Sequence, residues 1–190
     1  MTALREPWEN PESRFARSAT GSHEGMSGYS SEHRPLGSYA LLTTAFNAAL
    51  GGFVAARRHD FPERIEPYDL VLMGAATHKL SRLLAKDKVT SSLRAPFARY
   101  QGEAGPSEVS EEPRGRGLRL AIGELVTCPF CMGQWVAAGL LCGLVIAPRT
   151  TRFVASIFAT LGVSDALQLV YKVGQEQAQT DRYFVSRTAV

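Results

Sequence analysis

Leu125–Ala147 reads LVTCPFCMGQWVAAGLLCGLVIA, a run of 23 residues without a formally charged side chain. The hydrocarbon core of a bilayer is about 30 Å thick and takes roughly 20 residues of α-helix to cross. The run contains the motif Cys-Pro-Phe-Cys at residues 128–131, and Pro148 follows it. We therefore expect a membrane-spanning helix over Cys131–Ala147, extendable at its N-terminal side, with the two thiols Cys128 and Cys131 at its start.

Two further apolar segments have the length of a membrane span. Leu36–Ala56 contains no charged residue, and Arg57 and Arg58 follow it directly. Basic residues at that position hold a helix end at the lipid headgroups. Phe153–Tyr171 is interrupted by one charge, Asp165. For Leu36–Ala56, a buried helix in a soluble protein is the alternative interpretation.

A fourth, more polar helix is expected over Pro67–Ala85. Proline suits a first helical position, and the apolar residues that follow it repeat at helical spacing. Residues 70–78 are free of formal charge, whereas Lys79 and Arg82 lie in the last turns. This helix either crosses the membrane or lies on its surface.

These segments predict an all-α integral membrane bundle of about four hydrophobic helices within residues 36–173. Residues 1–35 are charged and rich in Ser, Gly and Pro, so we expect a disordered N-terminal tail. Residues 174–190 are expected to form a polar, frayed C-terminal tail. The loop 86–124 carries seven Lys/Arg and six Asp/Glu, and its Gly and Pro residues indicate mostly irregular structure.

The distribution of Lys and Arg predicts the orientation. With four spans, the N-terminal tail, the segment 86–130 and the residues after Tyr171 share one side and carry fourteen Lys and Arg. The short connections 57–66 and 148–152 carry five. The positive-inside rule then places both termini in the cytoplasm. We expect a multi-pass protein of the cell membrane, in direct contact with the lipid bilayer.

The composition argues against several classes of protein. The net charge of +3 is weak and no basic stripe with interleaved aromatic residues occurs, so nucleic acid is not expected as a partner. Three cysteines do not describe the disulfide framework of a secreted domain. The sequence has no nucleotide-binding glycine loop, no recognisable Ser/His/Asp arrangement and no His-Glu-x-x-His motif. A classical enzyme is therefore poorly supported.

Two blocks of sequence carry a family resemblance: HKLSRLLAKDKVTSSLR at His78–Arg94 and GELVTCPFCMGQW at Gly123–Trp135. The chain resembles a family of bacterial membrane proteins known as domain of unknown function 1360. The family pattern that it resembles is a helix ending His-(Arg/Lys)-Leu-x-Arg-Leu, followed by the motifs Asp-x-(Val/Ile)-Thr-x-x-Leu-Arg and Glu-Leu-(Leu/Val)-Thr-Cys-Pro-(Tyr/Phe)-Cys-x-Gly-x-Trp. The resemblance implies a small integral membrane protein, with a sporulation label on some relatives and no established activity. A departure is Lys79, where the family more often has Arg.

The Cys128 and Cys131 pair is the first candidate site. Pro129 suits the first position of a helix, and a helix N-terminus favours the thiolate. Three interpretations stay open: a dithiol redox pair, half of a zinc or iron–sulfur site, and a packed helix entry at the membrane interface. A structural zinc takes four ligands, so a metal would need further ligands from another copy of the chain or from His78.

A polar cluster is the second candidate site. Asp165 lies in an apolar segment, and a carboxylate at membrane depth usually faces the bundle interior and pairs with a cation. The three cations considered as its partners are His78, Lys79 and Arg82, which could instead pair with Glu124 or reach lipid phosphates. Alternatively, Asp165 belongs to a break between two shorter helices. The residues of this predicted cluster are His78, Lys79, Arg82, Asp87, Arg94, Glu124 and Asp165.

The favoured function is a non-enzymatic membrane scaffold or binding module. We expect it to form homo-oligomers and to bind a cytoplasmic protein partner through residues 86–130. One alternative is a thiol-redox or metal-binding membrane protein centred on Cys128 and Cys131. The other is a small ion or solute transporter that uses the polar cluster.

Overall fold

The computed structural model describes residues 35–188, with side chains as far as residue 177 and at residue 179. The predicted N-terminal tail therefore lies outside the described residues, except for Pro35. The chain forms helices α1 (Leu36–Arg57) and α2 (Pro67–Lys86), a 3-10 turn (Lys88–Thr90), α3 (Ser91–Arg94), strands β1 (Ala98–Gly105) and β2 (Glu108–Pro113), and helices α4 (Leu118–Thr127), α5 (Pro129–Ile146) and α6 (Pro148–Thr188).

Three helices in the described part of the chain are long and apolar enough to cross a membrane. They are α1, α5 and the first thirty residues of α6, Pro148–Gln177. Their apolar side chains face outward: none of the most apolar window of α1 is buried, and 6% of each of the other two windows is buried. The alternative of a core helix at Leu36–Ala56 is therefore not supported by the packing.

Helix α2 is the central helix of the bundle. Its Leu72, Met73 and Ala76 form the apolar core together with Leu144 of α5 and Ala155 of α6. Asp69 near the start of α2 reaches the start of α6, whereas Ser81 near its end lies against Gly133 near the start of α5. Helix α2 therefore runs parallel to α6 and antiparallel to α5.

The prediction of about four hydrophobic helices is only partly confirmed, because α2 is too polar to be among the three apolar helices. Its 20 residues include Asp69, Lys79, Arg82 and Lys86. The buried face of α2 also contains Asp69 and Ser81. Polar residues are tolerated on the central helix because they have partners inside the protein.

The all-α prediction was wrong for the segment 86–124, which is folded. Strands β1 and β2 pair antiparallel from Ala98↔Pro113 to Gly105↔Glu108. Pro106 and Ser107 connect them, and Ser107 adopts the left-handed conformation with φ +63°. The Gly and Pro residues that suggested irregular structure in fact form the hairpin turn and accompany two irregularities in its register, which are features that such residues permit.

Helix α6 is longer than the sequence predicts. It runs without interruption from Pro148 to Thr188, so the predicted break near Asp165 is absent and the polar C-terminal segment is helical as far as Thr188. The segment Gln175–Gln179 reads QEQAQ, and these residues have high helix propensity. Propensity sustains the helix beyond its apolar part.

Candidate functional site

Asp165 forms the ion pair that its position in an apolar segment suggests. Lys79 Nζ lies 2.5 Å from Asp165 Oδ2 and joins α2 to α6. The Lys79 side chain is 18% exposed and that of Asp165 is 49% exposed. Among the three cations considered in the sequence, Lys79 is the partner of Asp165.

A second ion pair joins the same two helices nearer their N-termini. Arg152 Nε and Nη2 donate to the two carboxylate oxygens of Asp69 at 2.8 and 2.7 Å. The Asp69 side chain is 4% exposed. Sequence reasoning missed this pair, although Asp69 is an acidic residue in the first turn of a helix whose next charge is Lys79.

The other predicted cluster members lie elsewhere. Arg82 donates to both carboxylate oxygens of Glu108 on β2, and Nη2 lies 2.5 Å from Oε1. His78 is exposed, and no side-chain partner of it is found among the described residues. The seven residues therefore belong to several separate contacts, and the structure does not bring them into one polar site.

Arg94 holds the segment after α2 together. Nη1 donates to Leu84 O at 2.7 Å and to Thr90 Oγ1 at 2.6 Å. Nη2 donates to Asp87 O at 2.9 Å and to Ser91 Oγ at 3.2 Å. Nε donates to Glu111 on β2, which is itself 6% exposed. These contacts use all five N–H donors of the guanidinium group.

The motif that contains Arg94 therefore has a structural explanation. Thr90 accepts from Arg94 and also donates to Leu83 O, so it belongs to the same network. Asp87 contributes its carbonyl oxygen. The polar members of the motif are buried, whereas its apolar members are exposed: Val89 is 86% exposed and Leu93 is 65% exposed. The motif thus combines a buried polar network with an exposed apolar pair.

We call residues 87–128 the head. It comprises the 3-10 turn, α3, the hairpin and α4, and it lies between α2 and α5 in sequence. Gly123 of α4 packs against the hairpin so closely that a Cβ atom there would lie 2.6 Å from Phe97 O. Arg114 and Arg119 donate to the carbonyl oxygens of Ala95 and Pro96. These contacts fix α4 and the end of β2 to the segment Ala95–Phe97, which leads into β1.

Cys128 is the N-cap of α5, directly before Pro129 at the first helical position. Its Sγ accepts the backbone N–H of Cys131 at 3.4 Å. Burial raises the pKa of Cys128, but hydrogen bonds from the Cys131 thiol and from the backbone N–H groups of Cys131 and Phe130, with the charge of Lys86, outweigh it, so the net pKa is below that of an ordinary thiol. All three cysteines are free thiols.

The described residues of one chain do not form a metal site by themselves. Among the described residues, no group of three or more His, Cys, Asp and Glu side chains is arranged to hold a metal ion. His78 therefore does not complete a ligand set with Cys128 and Cys131. Binding of a metal by Cys128 and Cys131 with further ligands from a second copy of the chain stays a prediction.

A groove of about 310 Å³ lies beside the thiol pair, between α1, α4 and α5. Its lining is mostly apolar and includes Phe46 and Trp135, whose ring centroids are 4.9 Å apart. Glu124 and Cys131 also line it. The Tyr39 hydroxyl donates to Glu124 Oε2 at the same place.

The described part of the chain is a small, mostly helical protein with a folded polar head. Three of its helices are apolar enough to cross a membrane. The chain belongs to the family described as protein of unknown function DUF1360, which it matches over residues 72–171. This range begins in α2, includes the head and ends in α6. The family resemblance seen in the sequence is therefore confirmed.

Two relatives from Bacillus subtilis (strain 168) match the chain. Sporulation protein YjcA is 32% identical over 111 residues, which are 56% of this chain and 94% of the relative. UPF0713 protein YngL is 24% identical over 115 residues, which are 59% of this chain and 85% of the relative. No solved structure matches the chain.

Proposed function

We propose that this protein is a non-enzymatic, multi-pass membrane module that presents the head for a partner protein to bind. The observation that carries the proposal is the Arg94 network. Arg94 is 1% exposed and all of its N–H groups are hydrogen-bonded. Such a network makes the segment after α2 rigid. The same turn exposes Val89 and Leu93, which such a network does not need for its own packing.

The proposal includes α2 as a fourth span. Helix α2 lies alongside α5 and the first half of α6, and two of its charges are paired with charges on α6. Its outward face carries Tyr68, Leu70 and Val71, which are all more than half exposed. Helix α2 packs on two apolar helices, and its charges at Asp69 and Lys79 have partners there. Such pairing suits a helix in lipid, where a charge needs a partner inside the bundle.

Four spans and the positive-inside rule place the head and the end of α6 in the cytoplasm. The name of the relative YjcA connects one family member with sporulation. That name gives no biochemical activity. We propose that the shared property is the membrane module with its head, and that the partner differs according to the cell in which it works.

The experiment that tests this function is site-specific photo-cross-linking from the head in living cells. A photoreactive residue at Val89 or Leu93 is expected to give one discrete protein adduct. The control position is Arg99, which is exposed on β1 of the same head. Equal adducts at all three positions, or adducts with lipid alone, would contradict a protein-binding surface at Val89 and Leu93.

A second candidate function rests on the Cys128 N-cap. A thiol of lowered pKa one helical turn from a second thiol suits exchange with a partner disulfide, in which both thiols are oxidised to one disulfide and the partner is reduced to two thiols. Acid quenching of cells followed by differential alkylation tests it. A disulfide between Cys128 and Cys131 in a fraction of the molecules would support this candidate, and fully reduced thiols under oxidative stress would argue against it.

A further inference from the structure

The groove between α1, α4 and α5 is where α1 meets the rest of the protein. Helix α1 has no buried residue, and its contacts with α4 and α5 lie along this groove. The groove is only partly filled by protein, although the edge-to-face pair of Phe46 and Trp135 joins its two sides. It has the size and apolar lining of a site for a small amphiphilic molecule.

Glu124 gives the groove its charge. One carboxylate oxygen accepts the Tyr39 hydroxyl, and no cation pairs with Glu124 within the part of the chain that the structure describes. Five other acidic residues of the described head and bundle are partly or fully buried. Four of them, Asp69, Glu108, Glu111 and Asp165, each have a basic partner, and the fifth, Asp87, accepts from Arg94 through its backbone carbonyl oxygen. A carboxylate in a partly buried, apolar site favours a positively charged ligand.

The aromatic residues of the groove indicate which kind of positively charged ligand fits it. Tyr39, Phe46 and Trp135 line the groove with Glu124, and aromatic faces together with a carboxylate attract an organic ammonium group. The groove lies where α1 and α5 begin, at the level of the head. In the membrane placement proposed above, on which this inference rests, that level is the lipid headgroup region of one leaflet.

We propose that this groove binds an amphiphile with an ammonium head, and that its source is an aminophospholipid such as phosphatidylethanolamine. The ammonium group pairs with Glu124 at the entrance. The aliphatic chains run along α1 and α5 past Leu42 and Phe46. The bound lipid thereby fills the incomplete contact between α1 and the rest of the bundle.

The experiment uses Trp135 as a reporter inside the groove. The chain has two tryptophans, Trp8 and Trp135, so Trp8→Phe leaves one reporter. The full chain is reconstituted in vesicles with equal mole fractions of brominated phosphatidylethanolamine or brominated phosphatidylglycerol. If the groove recognises the ammonium group, we expect about threefold stronger apparent quenching by the ethanolamine lipid. A preference of this size is what one cation–π contact and one partly exposed ion pair can supply.

Three variants test whether Glu124 determines the preference for the ethanolamine lipid. Glu124→Gln is expected to abolish the preference, whereas Glu112→Gln, which removes one charge from β2 outside the groove, should retain it. Tyr39→Phe keeps the carboxylate and should retain the preference as well. Loss of the preference in Tyr39→Phe, or its persistence in Glu124→Gln, would overturn the assignment to Glu124.

A titration with dodecylamine in detergent separates the two sources of an ammonium group. A shift in Trp135 emission that depends on Glu124, without preferential quenching in vesicles, would overturn the lipid as the source and support a free amphiphilic amine. Equal quenching by both lipids and no response to the amine would overturn the site. Flotation of the same vesicles tests membrane insertion separately, so a failure of the membrane placement is recognised as such.

Discussion

Arg94 is the side chain on which the head depends most. Replacing it by Lys keeps the charge but leaves at least two of its buried acceptors without a donor, because an ammonium cannot reproduce the fork of the guanidinium. We expect Arg94→Lys to destabilise the head by about 3 kcal/mol, within the range for breaking a buried charge network. Arg99→Lys, on the exposed side of β1, is the control.

The measurement for Arg94 is thermal unfolding in detergent, combined with limited proteolysis of the head. Arg94→Lys should lower the transition and expose cleavage sites between residues 95 and 117, whereas Arg99→Lys should behave like the unmodified protein. A variant at Arg94 that unfolds at the original temperature would show that the five hydrogen bonds contribute no net stability.

Cys128 allows a prediction of pH dependence. Its pKa lies below the ordinary value for a thiol, so a larger fraction is thiolate at neutral pH and alkylation is faster. With Cys131→Ser, whose hydroxyl can still donate to the Cys128 sulfur, and Cys142→Ala, Cys128 is the single thiol. Its alkylation rate against pH should then have a midpoint below that of an ordinary thiol. Lys86→Gln should raise the midpoint because it removes a nearby positive charge.

Lys88→Gln is the matched control for Lys86→Gln, because Lys88 pairs with Glu103 on β1 and does not act on Cys128. A midpoint that moves equally in both variants would show a general effect of net charge. A midpoint above that of an ordinary thiol would contradict the hydrogen bonds that the N-cap geometry provides.

At the scale of elements, the Lys79–Asp165 pair joins α2 to α6. Asp165→Ala leaves the ammonium of Lys79 without its partner, and we expect a loss of about 1–3 kcal/mol, since measured interactions in membranes are smaller than those in soluble cores. Asp165→Asn should cost less, because its side chain still accepts a hydrogen bond. Adding Lys79→Met to Asp165→Ala should restore part of the stability, because neighbouring residues are not additive.

Arg82→Gln is the control for the rescue, because Arg82 contacts Glu108 and not Asp165. Thermal unfolding of the double variants in detergent distinguishes the two cations. Rescue by Arg82→Gln and not by Lys79→Met would contradict the observed pairing. The sequence alone could not choose between these residues, because positions 79 and 82 are both on the last turns of one helix and only the packing of α6 separates them.

Gly123 tests the contact between α4 and the hairpin. A Cβ atom at this position would lie 2.6 Å from Phe97 O, and that oxygen already accepts the backbone N–H of Arg114. The backbone must therefore move, and we expect Gly123→Ala to destabilise by about 1–3 kcal/mol. Gly139→Ala meets nothing within 4 Å and should be neutral or slightly stabilising in thermal unfolding. Equal effects would mean that α4 is not docked as closely as the geometry indicates.

For the whole molecule, apolar segments were predictable because length and the absence of charge depend only on local sequence. The bounds of α1 and α5 follow the apolar runs that define them. The head was not predictable, since Arg94 reaches Glu111 only after a hairpin has formed, and nothing in a charge-rich loop marks that pairing. The thiol pair was placed correctly at the start of α5, because proline and a cap residue are local signals.

The topology of the whole molecule is decided by α2. If α2 spans, residues 58–66 and the turn before α6 lie on one side of the membrane, and the head lies on the other. If α2 lies on the surface, residue 63 and the head share a side. In a cysteine-free variant, single cysteines introduced as Glu63→Cys, Ala104→Cys and Thr150→Cys report these positions to a membrane-impermeant thiol reagent.

We expect Glu63→Cys and Thr150→Cys to be labelled in intact cells and Ala104→Cys only after permeabilisation, because the head side carries the excess of Lys and Arg. The opposite pattern would invert the orientation and keep four spans. Labelling of positions 63 and 104 under the same condition would remove α2 from the spans. In that case, the ion pairs of Lys79 and Asp69 with α6 would lie near one membrane surface, where water solvates charges and an ion pair adds little stability. The two pairs join α2 to α6 near both ends of α2, which favours the spanning arrangement.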